Sequence, residues 1–216
     1  MAFLGDGATS SADFHVALNF AGVFKVPVVF VCQNNHWSIS LRTDQQTASE
    51  SIAIKAKAYG FPGLRVDGND VEVVYAAARD AVERARTGGG PTLIEAETYR
   101  IGAHSSSDDP SRYRDPKEVE LWKARDPLDR LRARIVDSSL WDDGRDAALR
   151  SALLEEINAA IQDAEALPPP DPKTLFDDVY ARDPWNVSEQ REELVRFLRA
   201  LRPATDASGG SRGDRS

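Results

Sequence analysis

The first hundred residues of this chain alternate between helix-like and strand-like patterns, and this alternation restricts the fold more than any other feature. The pattern predicts helices at 10–24, 49–59 and 71–86, and strands at 26–32, 64–66 and 92–98. Strands separated by helices are typical of a mainly parallel sheet with helices on its faces. The predicted fold class is therefore α/β.

Two polar motifs stand where strands of that sheet end. Gly-Asp-Gly at 5–7 follows a short apolar run, and Asn-Asn at 34–35 follows the strand at 26–32. Ligands of parallel sheets bind beyond the carboxyl ends of the strands, so we expect Asp6 and Asn35 to lie close together. Carboxylate and amide oxygens suit Mg²⁺, and the backbone carbonyl of Trp37 is a third candidate ligand.

The glycines of the first motif suit a close approach of a ligand to the backbone. Gly5 and Gly7 carry no side chain, and the amides from Ala8 onward open the next helix, where anions bind well. The alternative is that the first motif is an ordinary turn and the second the start of a loop. Their placement after two strands favours a metal and diphosphate site.

The loop predicted at 101–114 is long and polar, as functional or mobile loops commonly are. His104 in this loop is a candidate proton donor or anion contact, and a solvated loop histidine is the alternative. Cys32 lies inside an apolar strand and is predicted to be a buried structural thiol.

Composition excludes several classes of function. The chain has 216 residues and a formal net charge of -8, which argues against non-specific nucleic-acid binding. No apolar run approaches the roughly 20 residues of a membrane-spanning helix, so no membrane association is predicted. The chain has 1 cysteine, which excludes an internal disulfide and favours a cytoplasmic location.

The character of the chain changes after residue 115. We predict a partial α/β domain at 1–115, a charged helical region at 116–202, and a disordered tail at 203–216. Small and polar residues dominate the tail, which cannot bury enough apolar surface to order itself.

The motifs together resemble a known family. The pair at 5–7 and 34–35 is similar to the thiamine-diphosphate fingerprint. The segments Val-Asp-Gly-Asn-Asp at 66–70, Glu-Ala-Glu-Thr-Tyr-Arg at 95–100 and His-Ser-Ser-Ser-Asp-Asp at 104–109 extend the likeness. The chain resembles the alpha subunit of the decarboxylating component of 2-oxoacid dehydrogenase complexes. The segment 104–109 is closer to the branched-chain type than to the pyruvate type.

The resemblance implies a set of site residues. It assigns Mg²⁺ to Asp6, Asn35 and the Trp37 carbonyl, and the catalytic role to His104. Thiamine diphosphate would contact Gly5, Asp6, Gly7, Ala8, Gln33, Asn35 and His104. Ser105 matches a regulatory phosphorylation position of mitochondrial relatives.

The resemblance also implies partners. These are a beta subunit in a heterotetramer, a lipoylated dihydrolipoyl acyltransferase core, and a 2-oxoacid of the 3-methyl-2-oxobutanoate type, from branched-chain amino acid catabolism. It further implies an N-terminal region before Gly5 that is missing here, so we expect an open sheet edge and no turnover by the isolated chain. A pyruvate or acetoin dehydrogenase alpha subunit, and a noncatalytic interaction fragment, are the alternatives.

Overall fold

The computed structural model describes residues 1–172, 174–177 and 179–201, and a parallel sheet of four strands forms its centre. The strands of the chain are β1 (Ala2–Gly5), β2 (Val29–Asn34), β3 (Trp37–Ser38), β4 (Leu41–Arg42), β5 (Gly63–Asp67) and β6 (Thr92–Glu97). The sheet has the order β1-β2-β6-β5, and β3 and β4 form a separate antiparallel pair. The predicted α/β fold with a mainly parallel sheet is confirmed.

The described chain also contains nine α-helices. They are α1 (Ala12–Phe24), α2 (Thr43–Gln46), α3 (Lys55–Ala58), α4 (Val71–Arg86), α5 (Pro116–Lys123), α6 (Pro127–Asp137), α7 (Asp143–Ala166), α8 (Thr174–Asp177) and α9 (Trp185–Leu201). Short 3-10 helices lie at Asp6–Ser10 and Pro110–Arg112.

The two faces of β2 build two apolar clusters. Phe30 and Cys32 point to the face covered by α1, where Leu18 is fully buried. Val29 points to the opposite face and packs with Ala81 of α4. Successive side chains of a strand alternate between faces, so a strand covered on both sides is apolar throughout. This explains the continuous apolar run that predicted the strand.

The second strand lies further along the chain than predicted. The apolar pattern placed it at 26–32, whereas β2 runs from Val29 to Asn34. Pro27 has no amide hydrogen for a sheet ladder, and the amide of Val28 donates to the carbonyl of Val26, so the strand starts later. Its end extends because β6 pairs with it as far as Asn34.

The helix predicted at 49–59 is mostly wrong. Only Lys55–Ala58 is helical. The amide of Ala53 donates to the buried carboxylate of Glu95 at 2.8 Å, and the amide of Ile54 donates to the Ser51 hydroxyl. These side-chain acceptors replace helical carbonyl acceptors and hold the segment in turns.

Other helices follow their sequence signals closely. The predicted helix at 71–86 is confirmed, and Asp70 caps it by accepting the amides of Glu72 and Val73. The first helix starts at Ala12 rather than residue 10, because Ser11 serves as its N-cap. The last helix begins at Trp185, ahead of the predicted residue 188.

The structure divides into two compact units, Met1–Asp146 and a unit that starts at Ala147. The first contains the whole sheet. In the second, Arg191 of α9 donates to Asp183 at 2.6 Å and contacts Asp177 of α8 at 3.2 Å. The domain boundary predicted at 115 stays a prediction, and the predicted tail at 203–216 lies outside the described residues.

An apolar surface lies at the β1 edge of the sheet. Within the described chain β1 pairs on one side only, with β2, and Phe3 of β1 is 76% exposed. Val16, Phe20 and Phe24 on the outer side of α1 are exposed as well. None of the described helices has both the length and the apolar character that crossing a membrane requires.

Candidate functional site

The ends of β1 and β2 bring the two predicted motifs to one edge of the sheet. Gly5 at the end of β1 is in register with Gln33 of β2. Asp6 and Asn35 therefore each lie just beyond the end of one of two neighbouring parallel strands. The structure therefore brings together the two motifs on which the metal hypothesis depends.

The carboxylate of Asp6 is buried and held in place by α2. Asp6 is 2% exposed, and its Oδ2 accepts hydrogen bonds from Thr43 Oγ1 at 3.1 Å and Gln46 Nε2 at 2.9 Å. No basic side chain of the described residues forms an ion pair with it, and none of the described groups donates to its Oδ1. Buried carboxylates are usually paired with a cation or bound to a metal, so this one fits a metal ligand.

The two asparagines have different roles. Asn34 is 4% exposed, its Nδ2 donates to Glu95 Oε1 at 2.7 Å, and its Oδ1 accepts from the amide of His36 and the hydroxyl of Thr43. It is therefore a structural link between β2, β6 and α2. Asn35 lies just beyond the strand, and its Oδ1 accepts only the amide of Trp37, at 3.0 Å, among the described groups.

The Trp37 carbonyl is the third oxygen donor in the metal hypothesis. Arg100 donates to it from Nη1 at 3.2 Å, and Arg100 Nη2 also donates to the Ile39 carbonyl at 2.5 Å. In the described part of the chain, no three His, Cys, Asp or Glu side chains form a metal-binding group. One carboxylate, one amide oxygen and one carbonyl are the hard donors that suit Mg²⁺ rather than zinc or iron.

The glycines of the first motif differ in what they require. A Cβ on Gly7 would lie 2.4 Å from Ser38 Oγ and 2.9 Å from Ser38 Cβ, so a side chain there would displace Ser38. A Cβ on Gly5 would meet open space, which leaves room for a ligand at that point. Ala8 lies in the 3-10 helix that follows, and Gln33 is exposed at the end of β2. A cavity of about 610 Å³ is lined by Thr9, Ser10, His15 and Gln46 and by residues of the segment 47–59.

A second buried carboxylate, Glu95, lies beneath the site. It is 1% exposed and accepts hydrogen bonds from Asn34 and from the amide of Ala53. Burial, followed by the charges of Glu95 and Asp6, raises the pKa of the neighbouring Cys32 thiol to about 12. Cys32 is therefore a protonated, buried thiol, as its apolar surroundings predicted.

The loop after β6 is pinned despite having little regular structure. Asp108 Oδ2 accepts from the amide of His104 at 2.8 Å and from the Tyr113 hydroxyl at 2.5 Å. These two hydrogen bonds, the amide first, hold the pKa of Asp108 below its usual range. Arg114 donates to the carbonyls of Arg100, Ile101 and Gly102. His104 and Ser105 lie exposed on this loop.

Arg100 joins this loop to the carbonyl of Trp37. Besides its bonds to the carbonyls of Trp37 and Ile39, its Nη2 donates to the Tyr113 hydroxyl at 3.0 Å. A continuous series of hydrogen bonds therefore runs from the Trp37 carbonyl through Arg100, Tyr113 and Asp108 to the backbone of His104. The imidazole itself takes no part in this series.

We expect the Tyr113→Phe variant to loosen the loop. It keeps the ring and loses the hydroxyl that donates to Asp108 and accepts from Arg100. Trypsin should therefore cleave the loop at least about fivefold faster, which is the effect of losing one such hydrogen bond. Limited proteolysis followed by mass spectrometry measures this rate. Tyr75→Phe, on an exposed tyrosine of α4, is the matched control. Equal cleavage rates in Tyr113→Phe and wild type would contradict the role of the hydroxyl.

Comparison with known proteins identifies the family. Residues 1–173 match the family described as dehydrogenase E1 component. The chain belongs to this family.

Several relatives with curated names are alpha subunits of 2-oxoacid dehydrogenases. The chain is 48% identical over 195 residues to the 3-methyl-2-oxobutanoate dehydrogenase subunit alpha of Mycobacterium tuberculosis (strain ATCC 25618 / H37Rv), covering 90% of this chain and 53% of that protein. It is 46% identical to 2-oxoisovalerate dehydrogenase subunit alpha 2, mitochondrial, of Arabidopsis thaliana, covering 90% of this chain and 41% of that protein. For the human mitochondrial 2-oxoisovalerate dehydrogenase subunit alpha the identity is 42%, covering 91% and 44%. The chain spans about half the length of these relatives.

Sequence analysis of this E1 chain missed several residues that hold the site. Thr43 and Gln46 on Asp6, Glu95 under Asn34, and Arg100 on the Trp37 carbonyl were not singled out. The apolar neighbours of Glu95 in β6 were the only local sign, because a carboxylate within a buried strand needs an internal partner.

Proposed function

We propose that this chain is the alpha-subunit part of a thiamine-diphosphate-dependent 2-oxoacid dehydrogenase of the branched-chain type. The observation that carries the proposal is the buried Asp6 carboxylate, which lies without a basic partner among the described residues, at the sheet edge that Asn35 and the Trp37 carbonyl share. Membership of the dehydrogenase E1 component family and the names of the relatives support the same assignment.

The residues at the ends of β1 and β2 fit Mg²⁺ and a diphosphate. Asp6, Asn35 and the Trp37 carbonyl would hold the metal, and two diphosphate oxygens and a water would complete its shell. Gly5, Gly7, Ala8 and Gln33 would line the diphosphate, since a side chain on Gly7 would displace Ser38 and Gly5 faces open space.

Bound thiamine diphosphate supplies the electron sink that lets a 2-oxoacid lose CO₂. The chain's own contribution is to orient and to move protons. Asp6 and Asn35 fix the diphosphate end, and the pinned loop carries His104, whose imidazole can donate or accept a proton during transfer of the acyl group. Ser105, next to His104, is a candidate phosphorylation site, where a phosphate would add charge and disturb the loop.

The proposed assembly contains further proteins. A beta subunit in a heterotetramer would complete the site, and a lipoylated dihydrolipoyl acyltransferase core would accept the acyl group. A cytoplasmic location fits the mycobacterial relative, whose name carries no organelle, unlike those of the plant and mammalian relatives.

The substrate assignment is tested on the chain assembled with its beta subunit. Release of CO₂ from 3-methyl-2-oxobutanoate is compared with release from pyruvate at equal concentrations. We expect a higher kcat/KM for the branched 2-oxoacid, because the segment 104–109 is of the branched-chain type. A preference for pyruvate would favour the pyruvate-type alternative. An assembly that binds no thiamine diphosphate would favour the noncatalytic interaction fragment.

A further inference from the structure

His36 lies between the two donors Asn35 and Trp37 in an uncommon backbone conformation. Its φ is 67°, in the left-handed region that few residues with a Cβ adopt, although histidine and asparagine tolerate it better than most. Ile39, two residues after Trp37, also has a positive φ, 54°. Strained conformations persist only where the surrounding structure holds them. We call residues 35–37, which carry the proposed metal donors Asn35 and Trp37, the donor segment. The contacts of His36 therefore decide how the donor segment is held.

The imidazole of His36 packs into a cluster of three aromatic rings. Its centroid lies 5.4 Å from the Trp122 ring and 6.0 Å from the Tyr99 ring, and Tyr99 and Trp122 stack at 5.4 Å with an interplanar angle of 12°. The side chain of His36 is 19% exposed. We call His36, Tyr99 and Trp122 the aromatic clamp. Tyr99 follows β6 and Trp122 belongs to α5, so the clamp joins the donor segment to two other parts of the fold.

The same helix holds the other end of the donor segment. Glu118 of α5 accepts from Arg42 Nη1 at 2.8 Å on both of its oxygens, and from the Tyr99 hydroxyl at 3.1 Å. Arg42 is the β4 partner of Trp37 in the β3–β4 pair. Helix α5 therefore contacts both the residue before Trp37 and the residue paired with Trp37.

We infer that His36 is a positioning residue for the metal site, and that α5 acts on the donors Asn35 and Trp37 through the contact between His36 and Trp122. This inference rests on the proposed Mg²⁺ and thiamine-diphosphate site. The clamp touches neither metal nor cofactor. It holds the amide oxygen of Asn35 and the carbonyl of Trp37 at fixed places relative to the Asp6 carboxylate.

A double-mutant cycle tests the inference in the chain assembled with its beta subunit. His36→Asn removes the ring and keeps a side chain that tolerates the left-handed backbone, and Trp122→Leu removes the other ring. The measurement is the affinity for Mn²⁺, used in place of Mg²⁺, by electron paramagnetic resonance at saturating thiamine diphosphate. We expect each variant to bind about 10-fold more weakly, as for other residues that orient metal ligands. Each substitution also removes other contacts, those of His36 with Tyr99 and Glu97 and that of Trp122 with Tyr99. If the contact between His36 and Trp122 carries the effect, the double variant should bind no more weakly than the worse single variant.

Further readouts separate positioning from a general loss of stability. The Mg²⁺ concentration that gives half-maximal turnover should rise in both variants, while kcat at saturating Mg²⁺ stays at the wild-type value. Trp122→Phe keeps an aromatic ring against His36 and should restore most of the affinity, which also covers the case in which Trp122→Leu fails to fold. Leu121→Ala, on the neighbouring residue of α5 that is 71% exposed, is the matched control and should bind as wild type.

The outcomes distinguish this inference from the proposed function. Wild-type Mn²⁺ affinity in His36→Asn, or effects that add in the double variant, would overturn the positioning role, even if Asp6→Ala abolishes binding. Failure of the wild-type assembly to bind thiamine diphosphate with Mn²⁺ would overturn the proposed function, and the inference with it.

Discussion

Replacing Asp6 by alanine is expected to abolish metal-dependent binding of thiamine diphosphate by the assembled protein. The substitution removes the charged member of the three proposed donors, so the affinity should fall by more than about 100-fold, beyond the range typical of residues that only support metal ligands. Asn35→Ala removes a neutral donor and should have a smaller effect in the same direction. Titration calorimetry with thiamine diphosphate, with and without Mg²⁺, measures both.

A matched control separates the lost donor from a change in local charge. Asp13→Ala removes an exposed carboxylate from the first turn of α1, seven residues along the chain, and should leave the affinity at the wild-type value. Thiamine-diphosphate affinity that is the same in Asp6→Ala and wild type would refute the metal site. The melting temperature of each variant is measured beside its affinity, because loss of the fold would appear as a lower melting temperature.

His104→Ala is expected to reduce acyl transfer to the lipoyl group by about 10²–10⁴-fold, the contribution of a positioned acid or base. The backbone amide of His104 still reaches Asp108 in the variant, so the loop should keep its structure. The side chain is not among the proposed metal donors, and binding of Mg²⁺ should therefore be unchanged.

Two assays distinguish this role from a general effect. Transfer to a lipoylated domain is measured beside decarboxylation with an artificial electron acceptor. The first should fall much more than the second, because we assign His104 to the acyl-transfer half of the reaction. Ser106→Ala, at an exposed residue of the same loop, is the control. Wild-type rates of acyl transfer in His104→Ala would leave the histidine as a solvated loop residue.

Local patterns were enough to predict the helix at 71–86, because an amphipathic stretch, an Asp cap and a glycine-rich end all agree there. They failed at 49–59, where the helical spacing of apolar residues predicted which side chains are buried but not the backbone conformation. Ile52 and Ala56 are both buried, as the spacing predicted. The backbone between them is held by Glu95, a residue that no local pattern connects with this segment.

The site was predictable in outline only. The motifs at 5–7 and 34–35 and the resemblance they carry pointed to Asp6 and Asn35, and the register of β1 and β2 brings them to one edge. The separate role of Asn34 was not predictable, because two adjacent asparagines look alike until the strand end determines which one points into the protein.

By itself the sequence determined the α/β alternation, the strand ends that carry polar donors, and the family. These depend on hydrophobic periodicity and on short motifs, which are local properties of the chain. Only the tertiary structure decided which side chains hold the donors in place. Asn34 and Glu95 are 61 residues apart, and Arg100 is 63 residues from the carbonyl it binds. Such contacts depend on strand register and side-chain direction after folding, so no local pattern records them.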